Sequence, residues 1–105
     1  MSDKLSVLIV DDNRTNLALM DMLVRKLPNC ATKLESDPAA LLGNLDTLSY
    51  DLAVFACRPP HLDGIELARR AKSLPHLRDK PILMAADEPD PAVKAQALEA
   101  GVAAV

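Results

Sequence analysis

The chain has 105 residues, half of them apolar and 26% charged, with a formal net charge of −3. These values describe one soluble domain, residues 1–105, with enough apolar side chains to bury a core. The absence of a basic block argues against direct binding to nucleic acid or an anionic membrane. No apolar run reaches the roughly 18 residues of a membrane span, and no charged-then-apolar leader opens the chain, so a cytoplasmic location is expected.

Residues 5–10 (Leu-Ser-Val-Leu-Ile-Val) form a short, β-branched apolar run that suits a buried parallel strand. Asp11, Asp12 and Asn13 follow. Leu17, Met20, Val24 and Leu27 then recur at helical spacing, and Pro28-Asn29 ends that helix, predicted over 13–27. A weaker strand is expected over 30–36. Asp37-Pro38 is an N-cap followed by proline at the first helical position, and Leu41, Leu42, Leu45 and Leu48 supply that helix's apolar stripe. A third strand is predicted over 52–56. A helix over 65–74 follows, with Ile65, Ala68 and Ala71 on one side, and a fourth strand over 81–86. Asp90-Pro91 repeats the helix start. Val93, Ala97 and Leu98 lead to Gly101 as terminator, and residues 102–105 open a fifth strand.

Strand and helix alternate throughout with short connections. This pattern implies right-handed βαβ crossovers and a parallel sheet covered by helices on both faces, of the flavodoxin-like order 2-1-3-4-5. Sites in such folds lie beyond the carboxyl ends of the strands, beside the switch point between strands 1 and 3. Asp11, Asp12 and Ala56 stand at those ends.

Two adjacent carboxylates at a strand end suit a divalent cation, Mg²⁺ with several waters retained. They suit equally the capping of the helix that follows, worth about 1 kcal/mol. Arg14, just after the pair, is a candidate internal cation. Cys30 and Cys57 have 26 residues between them, which forms no metal or redox spacing. His61 and His76 have no partner at ligand spacing and are expected at the surface. Arg69, Arg70 and Lys72 suit a solvated helix face.

Four segments together resemble the receiver domain of bacterial response regulators: Asp11-Asp12 after an apolar strand, the Pro60-to-Gly64 loop (Pro-His-Leu-Asp-Gly), Pro81-Ile82-Leu83-Met84, and Ala97-Leu98-Glu99-Ala100-Gly101. The segment 74–81 further resembles receivers that precede an HD-GYP phosphodiesterase domain. The resemblance implies a (βα)5 fold, two-component signalling and an aspartate at the end of the third strand that accepts a phosphoryl group. Aligned on Tyr50-Asp51-Leu52 and on Pro60 through Gly64, that position holds Ala56. The family's hydroxyl residue at the end of strand 4 falls on Ala86, and its aromatic switch on strand 5 falls on Val105. The pocket this implies includes Cys57, Pro60, Asp63 and Gly64, with Asp11 and Asp12 as a weak or vestigial Mg²⁺ site and no other cofactor.

The resulting expectation is a non-phosphorylatable pseudo-receiver, not an enzyme, acting by contact with a histidine kinase, another receiver or an effector domain, with a homodimer among the candidate assemblies. One alternative is a conventional receiver whose acceptor was engineered away or relocated to Asp51, Asp63 or Asp87. Another is a metal-dependent enzyme built on Asp11 and Asp12, for which no neighbouring nucleophile or general base stands out. A receiver ends in a helix that shares a sheet face with the first helix, and this chain stops before it. Val7, Ile9, Val54, Leu83 and Val105 are therefore expected to leave apolar surface exposed on that face.

Overall fold

The computed structural model describes residues 4–56, 63–85 and 91–105, with the Asp63 side chain left out. Eight elements alternate: β1 (Leu5–Val10), α1 (Arg14–Arg25), β2 (Cys30–Glu35), α2 (Pro38–Leu42), β3 (Leu52–Ala56), α3 (Asp63–Lys72), β4 (Ile82–Ala85) and α4 (Pro91–Glu99). The four strands pair in parallel in the order β2-β1-β3-β4. The inner strands β1 and β3 carry the apolar runs; β1 is buried on both faces from Val7 to Val10, and β3 on the face of Ala53 and Phe55.

The sheet divides the core in two. Leu8, Val10, Ala53, Phe55, Ile82 and Met84 face α2, α3 and α4 and join the larger cluster, with Tyr50 edge-on to Phe55 at 6.4 Å. Val7 and Ile9 face α1 and join Leu17, with Met20, Val24, Cys30, Leu52 and Val54 around them. Helix α1 is fastened over β2 by Thr32, whose hydroxyl donates to the Asp21 carboxylate at 2.6 Å.

Several elements are shorter than their patterns predict. Helix α1 starts at Arg14 with Asn13 as N-cap, and Leu27 lies past its end, more than half exposed. Helix α2 stops at Leu42. Consecutive turns closed by Asn44, Thr47 and Leu48 amides carry Leu45 into the core and Leu48 against it, so the expected stripe is delivered by turns rather than by one helix. In α4 the buried side is Ala97, with Ala100 just after the helix, while Leu98 is exposed. The fifth strand is reduced to one parallel bridge, Leu83 with Ala104, held by Ala103 N–H to the Ile82 carbonyl and Met84 N–H to the Ala104 carbonyl.

Candidate functional site

The site is built at the carboxyl end of the sheet. The β1–β3 register runs from Val7 opposite Leu52 to Val10 opposite Phe55. One more step places Asp11 opposite Ala56. On the other side Ala56 pairs with Ala85, the last described residue of β4. Three adjacent strand ends thus bring one carboxylate and two methyl groups together.

The acidic pair is split by the alternation of strand side chains. Asp11 is fully buried and its backbone N–H donates to the Glu35 carbonyl at 3.0 Å, extending the β1–β2 ladder. Its Oδ1 accepts the Asn13 N–H at 2.9 Å, and Asn13 Oδ1 in turn accepts the Asn16 N–H at 3.1 Å. Asp11 therefore shapes the turn into α1 and Asn13 caps the helix. Asp12 is exposed, as is Arg14. The capping reading is carried by Asp11 and Asn13 together.

Gly64 fixes how α3 approaches the site. A Cβ built on it would collide with the Ala56 carbonyl oxygen and lie 3.5 Å from Met84 Sδ. Only a bare backbone passes this close to the end of β3, so the Asp-Gly at the loop's end is a packing requirement. Val105, the last residue, is exposed next to the Ala104 bridge. Cys57, Pro60, His61, Ala86 and Asp87 lie outside the described residues. Asp63 opens α3.

Asp51 belongs to the opposite end of the sheet. Its Oδ2 accepts the Ser6 N–H at 2.7 Å, and its Oδ1 lies 3.9 Å from Lys80 Nζ. It ties β1 to the start of β3 and is remote from the site by the length of a strand. His76 is likewise structural, since Nε2 lies 3.1 Å from the Leu45 carbonyl, to which it donates. Arg69 and Arg70 are exposed and pair with Glu66, both at 2.9 Å, and the Arg70 hydrogen bond leads in holding that carboxyl below the usual range. Among the described residues no three His, Cys, Asp or Glu side chains converge as a metal cluster, and no helix is long and apolar enough to cross a membrane.

Sequence comparison agrees with this geometry. Residues 7–105 match the family model for the response regulator receiver domain. The chain belongs to the response-regulator receiver family. It is 34% identical over 102 residues to the cyclic di-GMP phosphodiesterase response regulator RpfG of Xanthomonas campestris pv. campestris, covering 93% of this chain and 26% of that protein. It is 32% identical over 98 residues to the gliding motility regulatory protein of Myxococcus xanthus, covering 93% of this chain and 12% of that one. The chain thus spans about a quarter or less of these curated relatives. Among solved structures, the phosphorylated cyanobacterial phytochrome response regulator RcpA superposes with a TM-score of 0.84 at 16% identity, over 96% of this chain and 78% of that one. The receiver domain of an HD domain-containing protein from Pseudomonas fluorescens gives 0.80 at 22%, over 96% and 79%. Both likenesses bear on the fold, which is that of a CheY-like receiver.

Two buried residues were not singled out by sequence pattern. Leu67 is fully buried on α3, beside the half-buried Glu66 and the buried Ala68. Tyr50 precedes β3 and is buried, its hydroxyl without a hydrogen-bond partner among the described residues, and burial pushes the pKa of that hydroxyl up to about 12.

Proposed function

We propose that this receiver does not take up a phosphoryl group and works by protein–protein contact alone. One observation carries the reading: the end of β3, across the register from the buried Asp11, holds the methyl group of Ala56 where the family places its acceptor carboxylate. A methyl group offers no nucleophile. The same alignment puts Ala86 at the hydroxyl position and Val105 at the aromatic one, so acceptor, relay and switch are lacking together. Phosphorylation brings about 1.5 to 2 negative charges that bias a two-state element. Without it the domain is constitutive, or is switched by a partner that binds one state better than the other.

The partner chemistry is that of a protein: a histidine kinase, another receiver or an effector domain, in the cytoplasm. The phosphodiesterase named for the Xanthomonas relative makes an HD-type output module one candidate effector. Asp11 and Asp12 present one buried and one exposed carboxylate, which suits weak Mg²⁺ binding at most, because a hard cation prefers more anionic oxygens than two. Relocation of the acceptor to Asp51 is disfavoured by its place at the far end of β3 and by its bond to Ser6.

The test is incubation with acetyl phosphate and Mg²⁺ followed by intact-mass measurement. The expected mass is unchanged. A hydroxylamine-labile gain of one phosphoryl group would overturn the proposal and direct attention to Asp63 or Asp87.

A further inference from the structure

Strand β2 is the edge of the sheet, six residues long from Cys30 to Glu35. It bonds β1 through alternate residues. The Leu5 N–H donates to the Asn29 carbonyl at 2.7 Å and the Asp11 N–H to the Glu35 carbonyl at 3.0 Å, so Ala31 and Lys33 between them also face inward. The N–H and C=O groups of Cys30, Thr32 and Leu34 therefore point outward, and among the described residues nothing pairs with them. Edge strands are ordinarily blunted by a proline, a bulge or an outward lysine. This strand holds no proline, and its register with β1 is unbroken. Its one lysine is drawn back over the sheet, with Lys33 Nζ donating to the Ser49 carbonyl at 3.2 Å. Leu34 is left 45% exposed. The edge is also oppositely charged at its two ends. At the amino end, Lys4 and Arg25 line an open hollow of about 400 Å³ with Cys30, Ala31 and Thr32. At the carboxyl end stand Glu35 and the exposed Asp37.

We infer that two copies of this chain pair antiparallel along this edge and join their sheets into one. A two-fold axis perpendicular to the sheet keeps like faces together, so each residue opposes one of its own parity. Centred on Thr32, the axis sets Thr32 against Thr32 of the second copy and Cys30 against Leu34 of the second copy, each pair exchanging both N–H···O bonds. Every outward group of the strand is then used. Centring on Lys33 would set two lysines face to face and push Cys30 opposite Ser36, beyond the strand. Centring on Ala31 would set Leu34 against Pro28, which has no N–H. The Thr32 register also covers Leu34 with Cys30 and brings Glu35 to Asn29 of the second copy. That Asn29 carbonyl holds the Leu5 N–H, so Lys4 is the adjoining residue, and acidic end meets basic end twice. A second copy thus matches the edge in hydrogen bonding and in charge at once. The inference is independent of the chemistry at Ala56.

Sedimentation velocity on the whole chain, from micromolar to submillimolar concentration, tests this, with far-UV circular dichroism as the check on folding. A reversible monomer–dimer equilibrium is expected, in which the Thr32 and Leu34 amides gain protection from hydrogen exchange as concentration rises. Leu34→Pro removes an outward N–H that the β1 ladder does not use, and is expected to abolish the dimer. Lys4→Glu, at an exposed residue, is expected to weaken it by about threefold to thirtyfold, because symmetry counts each surface ion pair twice. Leu23→Glu, 62% exposed on the flank of α1 turned away from β2, leaves it unchanged. A monomer at every concentration overturns the inference. So does open-ended assembly, a dimer that survives Leu34→Pro or ignores Lys4→Glu, or one lost with Leu23→Glu. If Leu34→Pro fails to fold, Lys4→Glu and the amide protection decide the matter.

Discussion

Replacing Ala56 with aspartate is the sharpest perturbation of the site. The β1–β3 register sets residue 56 across from Asp11, which is fully buried. Neighbouring strands lie about 4.8 Å apart, so the two carboxylates would stand about 5 Å from each other. At an effective dielectric constant of about 20 the repulsion is about 3 kcal/mol. Ala56 is only half-buried, and solvent at the strand end lowers this to about 1–2 kcal/mol. With a urea dependence of about 1–3 kcal/mol per molar, the unfolding midpoint of Ala56→Asp falls by roughly 0.3–2 M in metal-free buffer. Mg²⁺ bridging the carboxylates reverses the loss: at about 100 times its dissociation constant a ligand that binds only the folded state adds about 2.7 kcal/mol. The unaltered chain responds far less to the same Mg²⁺. Urea titrations read by far-UV circular dichroism, with and without Mg²⁺, measure all four values. If Ala56→Asp matches the unaltered chain without metal and gains nothing with it, residue 56 and Asp11 do not form one site. Tight Mg²⁺ binding by the unaltered chain would instead favour the metal-enzyme reading of Asp11 and Asp12.

Gly64→Ala sets a methyl group on the Ala56 carbonyl oxygen, and overpacking of this kind costs about 1–3 kcal/mol in urea unfolding. Tyr50→Phe removes a buried hydroxyl that has no partner, so it is expected to stabilise by up to about 1 kcal/mol, which thermal melting resolves; a loss of stability would mean the hydroxyl is satisfied. The hydrogen bond from Thr32, followed by that from Arg25, holds the Asp21 carboxyl below its ordinary value of 3.8. A folded pKa below the unfolded one contributes stability that is present above the unfolded value and lost as pH falls through the folded one. Thr32→Val is therefore expected to raise the Asp21 pKa by NMR titration and to flatten the fall in stability on the acid side of pH 3.8, with Asp21→Asn as the control that removes the titration.

How far the sequence foretold this molecule depends on how long each signal is. β1 and β3 are the inner strands of the sheet, so their apolar runs coincide with their bounds. The stripe Leu41, Leu42, Leu45 and Leu48 also predicts burial well, yet it predicts the wrong element. Hydrophobic spacing records which side chains point inward, and a chain of turns through Gly43 and Asn44 satisfies it as well as a helix does. In α4 the pattern holds at Val93 and Ala97 and fails at Leu98. The helix packs closely through Ala97, so the larger Leu98 stays outside. The expected fifth strand is represented by the single bridge of Leu83 with Ala104. At the site, the position of Ala56 was legible because a strand end is fixed by the run before it. The difference between Asp11 and Asp12 was not legible, since composition treats the two as equivalent and only strand alternation separates them.

That difference changes what the acidic pair means. Asp11 extends the β1–β2 ladder through its N–H and shapes the entry to α1 through Oδ1. Removing a buried acceptor that a backbone N–H depends on costs about 1–3 kcal/mol whether or not a metal is ever bound. A chain that had no use for Mg²⁺ would still be stabilised by this carboxylate, so its presence is no measure of metal chemistry. Asp12 is exposed, with no such structural bond among the described residues. Its substitution therefore separates the two roles: Asp12→Asn leaves stability within about 0.5 kcal/mol, as surface changes do, and any effect it has on Mg²⁺ affinity or on partner binding belongs to the site rather than to the fold.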